Sequence, residues 1–199
     1  FQLTKPDATS IDAVATLTRD TKGELGRTGL MLLGAMADRT ASADLLQQIV
    51  ARRSQAESDG ALQHWLDAVG NSGRPEAVGA IERYLENQEP DLRAAAVQAL
   101  RRIEGKTAEA ALAKRAHSDS SERIRIMAAD LLARRSSPAA LAAIDRILQG
   151  DSVDLRRAAL SGLGRQIANP VAQRLLRRAA SSDPNASLRE FAQGLLPGR

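Results

Sequence analysis

The side chains best placed for chemistry in this chain are basic. Arg174, Arg177 and Arg178 lie at offsets of three and four residues, which brings all three near one face of a helix. Lys114 and Arg115, and Arg146, occupy comparable segments further upstream. Together they describe an arginine-rich stripe that would recognise an anion: an acidic protein segment, a phosphate backbone or an anionic lipid head group. The competing reading is a solvated face whose arginines pair with nearby Glu and Asp.

Other chemistries find little to work with. His64 and His117 lack a second ligand at a metal-binding spacing, so no metal is expected. His117 falls at a helix end, where the dipole favours a cation. Cysteine is absent, which removes disulfides, thiolate metal sites and cysteine nucleophiles within this chain. No phosphate loop, nucleophile elbow or paired-histidine motif occurs. The expectation is a non-enzymatic protein without a cofactor.

Aromatic residues make up 2% of the chain, at Phe1, Trp65, Tyr84 and Phe191. That scarcity argues against single-stranded nucleic acid, which is commonly held on aromatic stacking platforms. Trp65 and Tyr84 have two readings, core packing or an exposed anchor for a protein partner.

Helices must position these groups, and the sequence repeats to build them. Leu92-Arg93, Ile124-Arg125, Leu155-Arg156 and Leu188-Arg189 each open an Ala- and Leu-rich segment, with the arginines 32, 31 and 33 residues apart. Three residues after each arginine comes Ala96, Ala128, Ala159 or Ala192, and seven after comes Leu100, Leu132, Leu163 or Leu196. Offsets of three and seven share one face of a helix. The same register reaches back to Val69, with Trp65 where the later repeats carry alanine. A period in the thirties is the signature of stacked helical hairpins. The repeated Arg93, Arg125, Arg156 and Arg189 read as a structural ladder in which each reaches an acidic residue of a neighbouring loop.

Each opening helix is followed by a break and a second helix. Gly70-Asn71-Ser72-Gly73-Arg74-Pro75 is the clearest break, Pro138 and Pro170 mark two others, and Gly105 with Thr107 as N-cap serves the remaining repeat. Second helices are expected over about residues 76–86, 108–116, 139–148 and 171–180. Upstream, the expected helices run over residues 11–18, capped by Ser10, then 25–36 and 45–53, with a polar connector over 54–60. Gly162-Leu163-Gly164 lies inside a repeated helix, where close helix packing is the simplest reading. Phe1-Gln2-Leu3 resembles neither a natural start nor a targeting signal, which suggests a domain excised from a longer protein.

Composition bounds the class. The 199 residues are 43% hydrophobic, as in a globular domain with a substantial core. No apolar run approaches the ~18 residues of a membrane span, and the compartment is left open between cytoplasm and envelope. Lysine occurs at four positions, so the other 24 of the 28 basic residues are arginine, a bias that points to a GC-rich bacterial genome. Residues 1–100 carry a net charge of −4 and residues 101–199 one of +8. Such an asymmetry can orient a partner.

With these motifs in hand, the chain resembles bacterial HEAT-repeat proteins of the kind grouped with bilin-lyase-like repeats, well over residues 61–199 and weakly over 10–60. The shared features are the Pro-or-polar break, the acidic connector, the Leu/Ile-Arg pair and the Ala/Leu helix. Leu66 to Pro75, Tyr84-Leu85 and Arg93 to Arg102 are also similar to the helical domain of vitellogenin-type lipoproteins, which implies an envelope-related setting. The bilin-lyase grouping implies chromophore attachment, for which the chain offers no cysteine and no distinctive polar cluster.

The resulting expectation is an all-α, right-handed α-solenoid of stacked antiparallel helical hairpins, about five repeats and a terminal half-repeat over residues 186–196, in one domain. The expected function is a scaffold or adaptor that binds a protein partner on its concave surface, which the second helices of such hairpins line. The alternative is an anion-binding module that contacts nucleic acid or a membrane surface through the arginine stripe. The oligomeric state is left open.

Overall fold

Helix starts in this chain carry the local chemistry that a helix requires. Ser42, Ser137, Ser152, Asn169 and Asn185 each sit in extended conformation just before a helix, and each side chain accepts a backbone N–H of the first turn. Pro90, Pro138 and Pro170 occupy the first turn, where a missing N–H removes no helical hydrogen bond. Gly73 (φ +62°) takes the positive φ that ends a helix without Cβ strain, whereas Gly105 (φ +108°) takes it in the residue just before a helix that begins at Lys106.

In the computed structural model, which describes residues 6–197, these signals yield helices α1 (Ala8–Leu17), α2 (Glu24–Thr40), α3 (Ala43–Ala51), α4 (Arg53–Ser58) and α5 (Leu62–Asn71). A 3-10 turn over Pro75–Ala77 leads into α6 (Val78–Leu85), followed by α7 (Pro90–Ala99) and α8 (Lys106–Ser118). The chain continues through α9 (Glu122–Leu132), α10 (Pro138–Leu148), α11 (Val153–Arg165), α12 (Pro170–Ser182) and α13 (Ala186–Leu195). Among the described residues no strand occurs, and no helix is long and apolar enough to cross a membrane. The helices form two compact units, one ending at Ala108 and the other beginning at Glu109.

In the first unit, α2 packs on α5 and α5 on α7. These contacts are made backbone to backbone. A Cβ added to Gly34 would lie 2.3 Å from the Ala68 carbonyl oxygen, and one on Gly70 would lie 2.4 Å from that of Ala99. Gly70 therefore serves close approach inside α5, and Gly73 supplies the left-handed stop of the break. In the second unit, α11 lies between α9 and α13. A Cβ on Gly162 would meet the Ala133 Cβ at 2.3 Å, and one on Gly164 would meet the Leu195 side chain at 2.8 Å.

The repeated register is the core. Ala96, Ala128, Ala159 and Ala192 are fully buried, as are Val69, Leu100, Leu132 and Leu163. Burying each such leucine contributes about 1.5–3 kcal/mol. Leu196 leaves the pattern, because α13 ends at Leu195 and Leu196 turns to extended backbone.

The ladder arginines share a backbone anchor that the sequence reading did not name. Each guanidinium donates to the carbonyl six residues upstream, just past the end of the preceding second helix. Arg93 reaches Asn87 at 2.9 Å, Arg125 reaches Asp119 at 2.8 Å, Arg156 reaches Gly150 at 2.8 Å and Arg189 reaches Asp183 at 2.7 Å. Carbonyls at a helix C-terminus lack intrahelical donors and carry the negative end of the dipole, so a guanidinium satisfies them well. Acidic partners of the expected kind add to this: Asp183 of the next connector for Arg156, and Glu122 at 3.8 Å for Arg125.

Three local details differ from the sequence reading. Residues 54–60 are largely helical, because α4 continues the path of α3 after a bend at Arg52 (φ −82°, ψ 2°). The cap of α1 is Asp7, whose carboxylate accepts the Ser10 N–H at 2.8 Å. Thr107 lies within α8, and Gly105 directly precedes its first residue, Lys106, rather than ending α7, which stops at Ala99. The expected features of Phe1-Gln2-Leu3 lie outside the described residues.

Candidate functional site

Helices α10 and α12 follow the same recipe: a Ser or Asn cap, a proline, then apolar residues on one face. Leu141 and Ile144 of α10, and Leu175 and Leu176 of α12, are buried. Between the two helices the second unit has an open groove of about 520 Å³. Its wall is mostly apolar, formed by Pro138, Leu141, Ala142, Val171 and Leu175, with Asp145, Arg174 and Arg178 as the charged lining. Arg178 and Asp145 form an ion pair. That hydrogen bond holds the Asp145 carboxyl below its ordinary pKa, against a partial opposing effect of burial. Arg174, exposed on the same lining, makes no hydrogen bond or ion pair among the described residues.

A second groove of about 360 Å³ lies between α8 and α10. Ala113, His117, Arg146 and Ile147 contribute to its lining. All of these residues belong to the second unit.

The structure distributes the stripe residues among different surroundings. Arg174 and Arg178 line the α10/α12 groove, while Arg146 lines the α8/α10 groove. Arg177 is exposed and donates to Gln173 Oε1 at 2.9 Å. Lys114 is exposed on α8. Arg115 is buried and pairs with Asp119, one helical turn on, at 3.6 Å. It is part of the helix-end packing and is removed from the candidate surface. The spacing that suggested one continuous stripe does not register that Asp145 takes up Arg178 and Asp119 takes up Arg115.

Trp65 and Tyr84 are likewise removed as exposed anchors. Trp65 is fully buried, and its Nε1–H donates to the Ile49 carbonyl at 2.8 Å. At the bend between α3 and α4 that carbonyl also accepts the Arg52 N–H at 3.1 Å, so the indole is its second donor. The Tyr84 ring is also buried, 5.6 Å from the Trp65 ring at a tilt of 58°. This tilted geometry is a favoured aromatic arrangement. An indole in an alanine position thus fills the space beside an irregular second helix.

Of the histidines, His117 sits exposed in the last turn of α8, and His64 is half-buried on α5. Among the described residues no group of three His, Cys, Asp or Glu side chains is arranged to hold a metal ion. Sequence reasoning missed the apolar groove wall. The available signal was Val171 and Leu175 at a spacing of four, interleaved with Arg174 and Arg178 at the same spacing.

Stacked helical pairs with a buried Ala/Leu register define a helical-repeat protein of the α-solenoid class, a class that typically works as a binding surface rather than a catalytic pocket. The family described as HEAT repeats matches residues 47–125 and 109–196, and the chain belongs to that family. A search of curated proteins returned no match. Among solved structures, an engineered protein is similar at 16% identity and a TM-score of 0.53, covering 94% of this chain and 94% of its own. A designed armadillo repeat protein is similar at 16% identity and a TM-score of 0.51, covering 94% of this chain and 98% of its own. The complex of CpcE and CpcF of phycocyanin lyase from Nostoc sp. is similar at 18% identity and a TM-score of 0.46, covering 98% of each chain. The first two likenesses carry the repeat fold.

Proposed function

We propose that this chain is a non-enzymatic scaffold that binds a protein partner through the second-helix face of its second unit. The observation that carries this reading is the mostly apolar groove between α10 and α12, open to solvent and flanked by charge. Open apolar surface rimmed by polar groups is characteristic of interaction sites. HEAT-repeat membership supports the same reading, because solenoid repeats present extended binding surfaces. The surroundings of the basic residues favour a protein over a polyanion. Arg178 and Arg115 are neutralised by carboxylates, and Arg146 lies in a separate groove.

The test is affinity capture from native extracts with the full chain and with Ala142→Trp. Ala142 is exposed on the groove wall, so an indole there fills the groove without entering the core. The expected result is a defined protein retained by the parent chain and lost with Ala142→Trp, at an unchanged melting midpoint. Retention of the same protein by both chains would refute the site.

A further inference from the structure

We propose that the α10/α12 groove takes an acidic protein segment, with an apolar side chain seated on Leu141, Val171 and Leu175 and an adjacent carboxylate paired with Arg174. The proposal rests on the protein-docking reading above and adds the chemistry of the partner. Its basis is the charge left over in the groove. The lining holds two guanidiniums, Arg174 and Arg178, and one carboxylate, Asp145. Asp145 is taken up by Arg178, which leaves one positive charge without an answering group beside an apolar wall.

The surroundings reinforce that sign. Helix α12 carries Arg174, Arg177 and Arg178 and no acidic residue. Arg177 is bonded to a neutral amide and keeps its charge uncompensated there. A guanidinium at the edge of an apolar wall is suited to a carboxylate, which it binds with two parallel N–H···O bonds. The groove volume of about 520 Å³ holds a few side chains of an extended segment. A nucleic acid fits poorly, because the groove lining includes no aromatic ring for a base and one uncompensated arginine for phosphate.

The probe is a displayed library of short random peptides selected on the full chain, with the recovered peptides measured by fluorescence anisotropy. The expected consensus places Asp or Glu next to Leu, Ile, Val or Phe. Arg174→Glu should weaken the selected peptides by about tenfold or more, and a peptide with its acid changed to Lys should bind Arg174→Glu better than the parent chain. Arg174→Gln, which keeps the polar bulk, should also lose affinity, and binding to the parent chain should weaken with added salt. A consensus without an acidic residue, or affinity indifferent to Arg174→Glu, overturns the carboxylate assignment. If the captured protein is still lost on Ala142→Trp in that case, the docking site stands and its chemistry is wrong. If Ala142→Trp disturbs neither peptide nor protein, both readings fall.

Discussion

Arg156 clamps Asp183 with two hydrogen bonds, Nε to Oδ2 at 2.9 Å and Nη2 to Oδ1 at 3.2 Å, and both side chains are buried. The same guanidinium also donates to the carbonyls of Gly150 and Asp151. One side chain therefore ties together the end of α10, the start of α11 and the end of α12. Breaking a buried pair from one side leaves an uncompensated charge. Arg156→Ala is expected to cost about 3–5 kcal/mol, read from the shift of a urea unfolding midpoint. Arg156→Lys should recover a small part of that loss, because an ammonium lacks the planar fork.

The helical glycines should separate by sign. Gly162→Ala forces a Cβ against Ala133 at 2.3 Å, with the Ala133 backbone next in line at 3.1 Å. Overpacking of this kind costs about 1–3 kcal/mol. Gly79 and Gly194 are also helical, but a Cβ there meets nothing within 4 Å. Alanine at either should stabilise by about 0.5–1 kcal/mol through helix propensity alone. Thermal unfolding of the three variants checks this, and equal effects at all three positions would refute the close approach.

Trp65 is the chain's single tryptophan, so its fluorescence reports one environment. Full burial predicts a blue-shifted native emission that acrylamide quenches weakly. Trp65→Phe keeps a ring but removes the indole donor to the Ile49 carbonyl, which retains the Arg52 N–H, and about 0.5–1.5 kcal/mol of stability should go with that hydrogen bond. A red-shifted, readily quenched emission would return Trp65 to the surface.

Asp67 gives a dependence on pH. Burial pushes its carboxyl above the ordinary value, and the nearby charges of His64 and Arg101 offset that only in part. A carboxyl whose folded pKa is raised holds its proton more tightly in the folded state. The folded state is therefore penalised as pH rises from the unfolded value, about 4, through the raised folded value. Asp67→Asn should raise the melting midpoint at neutral pH, and the gain should vanish below about pH 4. A gain that persists in acid would show that the substitution acts by packing.

The repeating part of the fold was legible because its physics is periodic. Ala96, Ala128 and Ala159, with Leu100, Leu132 and Leu163, announce a buried helix face from spacing alone, and each is fully buried. The irregular second helix that bends at Arg52 was not legible, since its polar residues 54–58 carry no periodic apolar signal. Nor was the backbone role of the ladder arginines, because a carbonyl six residues upstream leaves no mark in residue type. The candidate site was half legible. Spacing placed Arg174 and Arg178 together, but which of them is paired depends on Asp145 in the preceding hairpin, 33 residues from Arg178.

Gly34 and Gly70 bring helices together backbone to backbone, and Gly162 leaves room for the Ala133 methyl alone, whereas Ala142, Arg146, Arg174 and Arg177 stand in solvent on the other helices of the hairpins. Tolerance to mutation should therefore be sharply divided within a single repeat. Sterics forbid almost every exchange at the glycines, while the exposed positions are free to vary without disturbing the stack. Binding preference can be rewritten, by selection or in the laboratory, on helices whose neighbours hold the architecture constant.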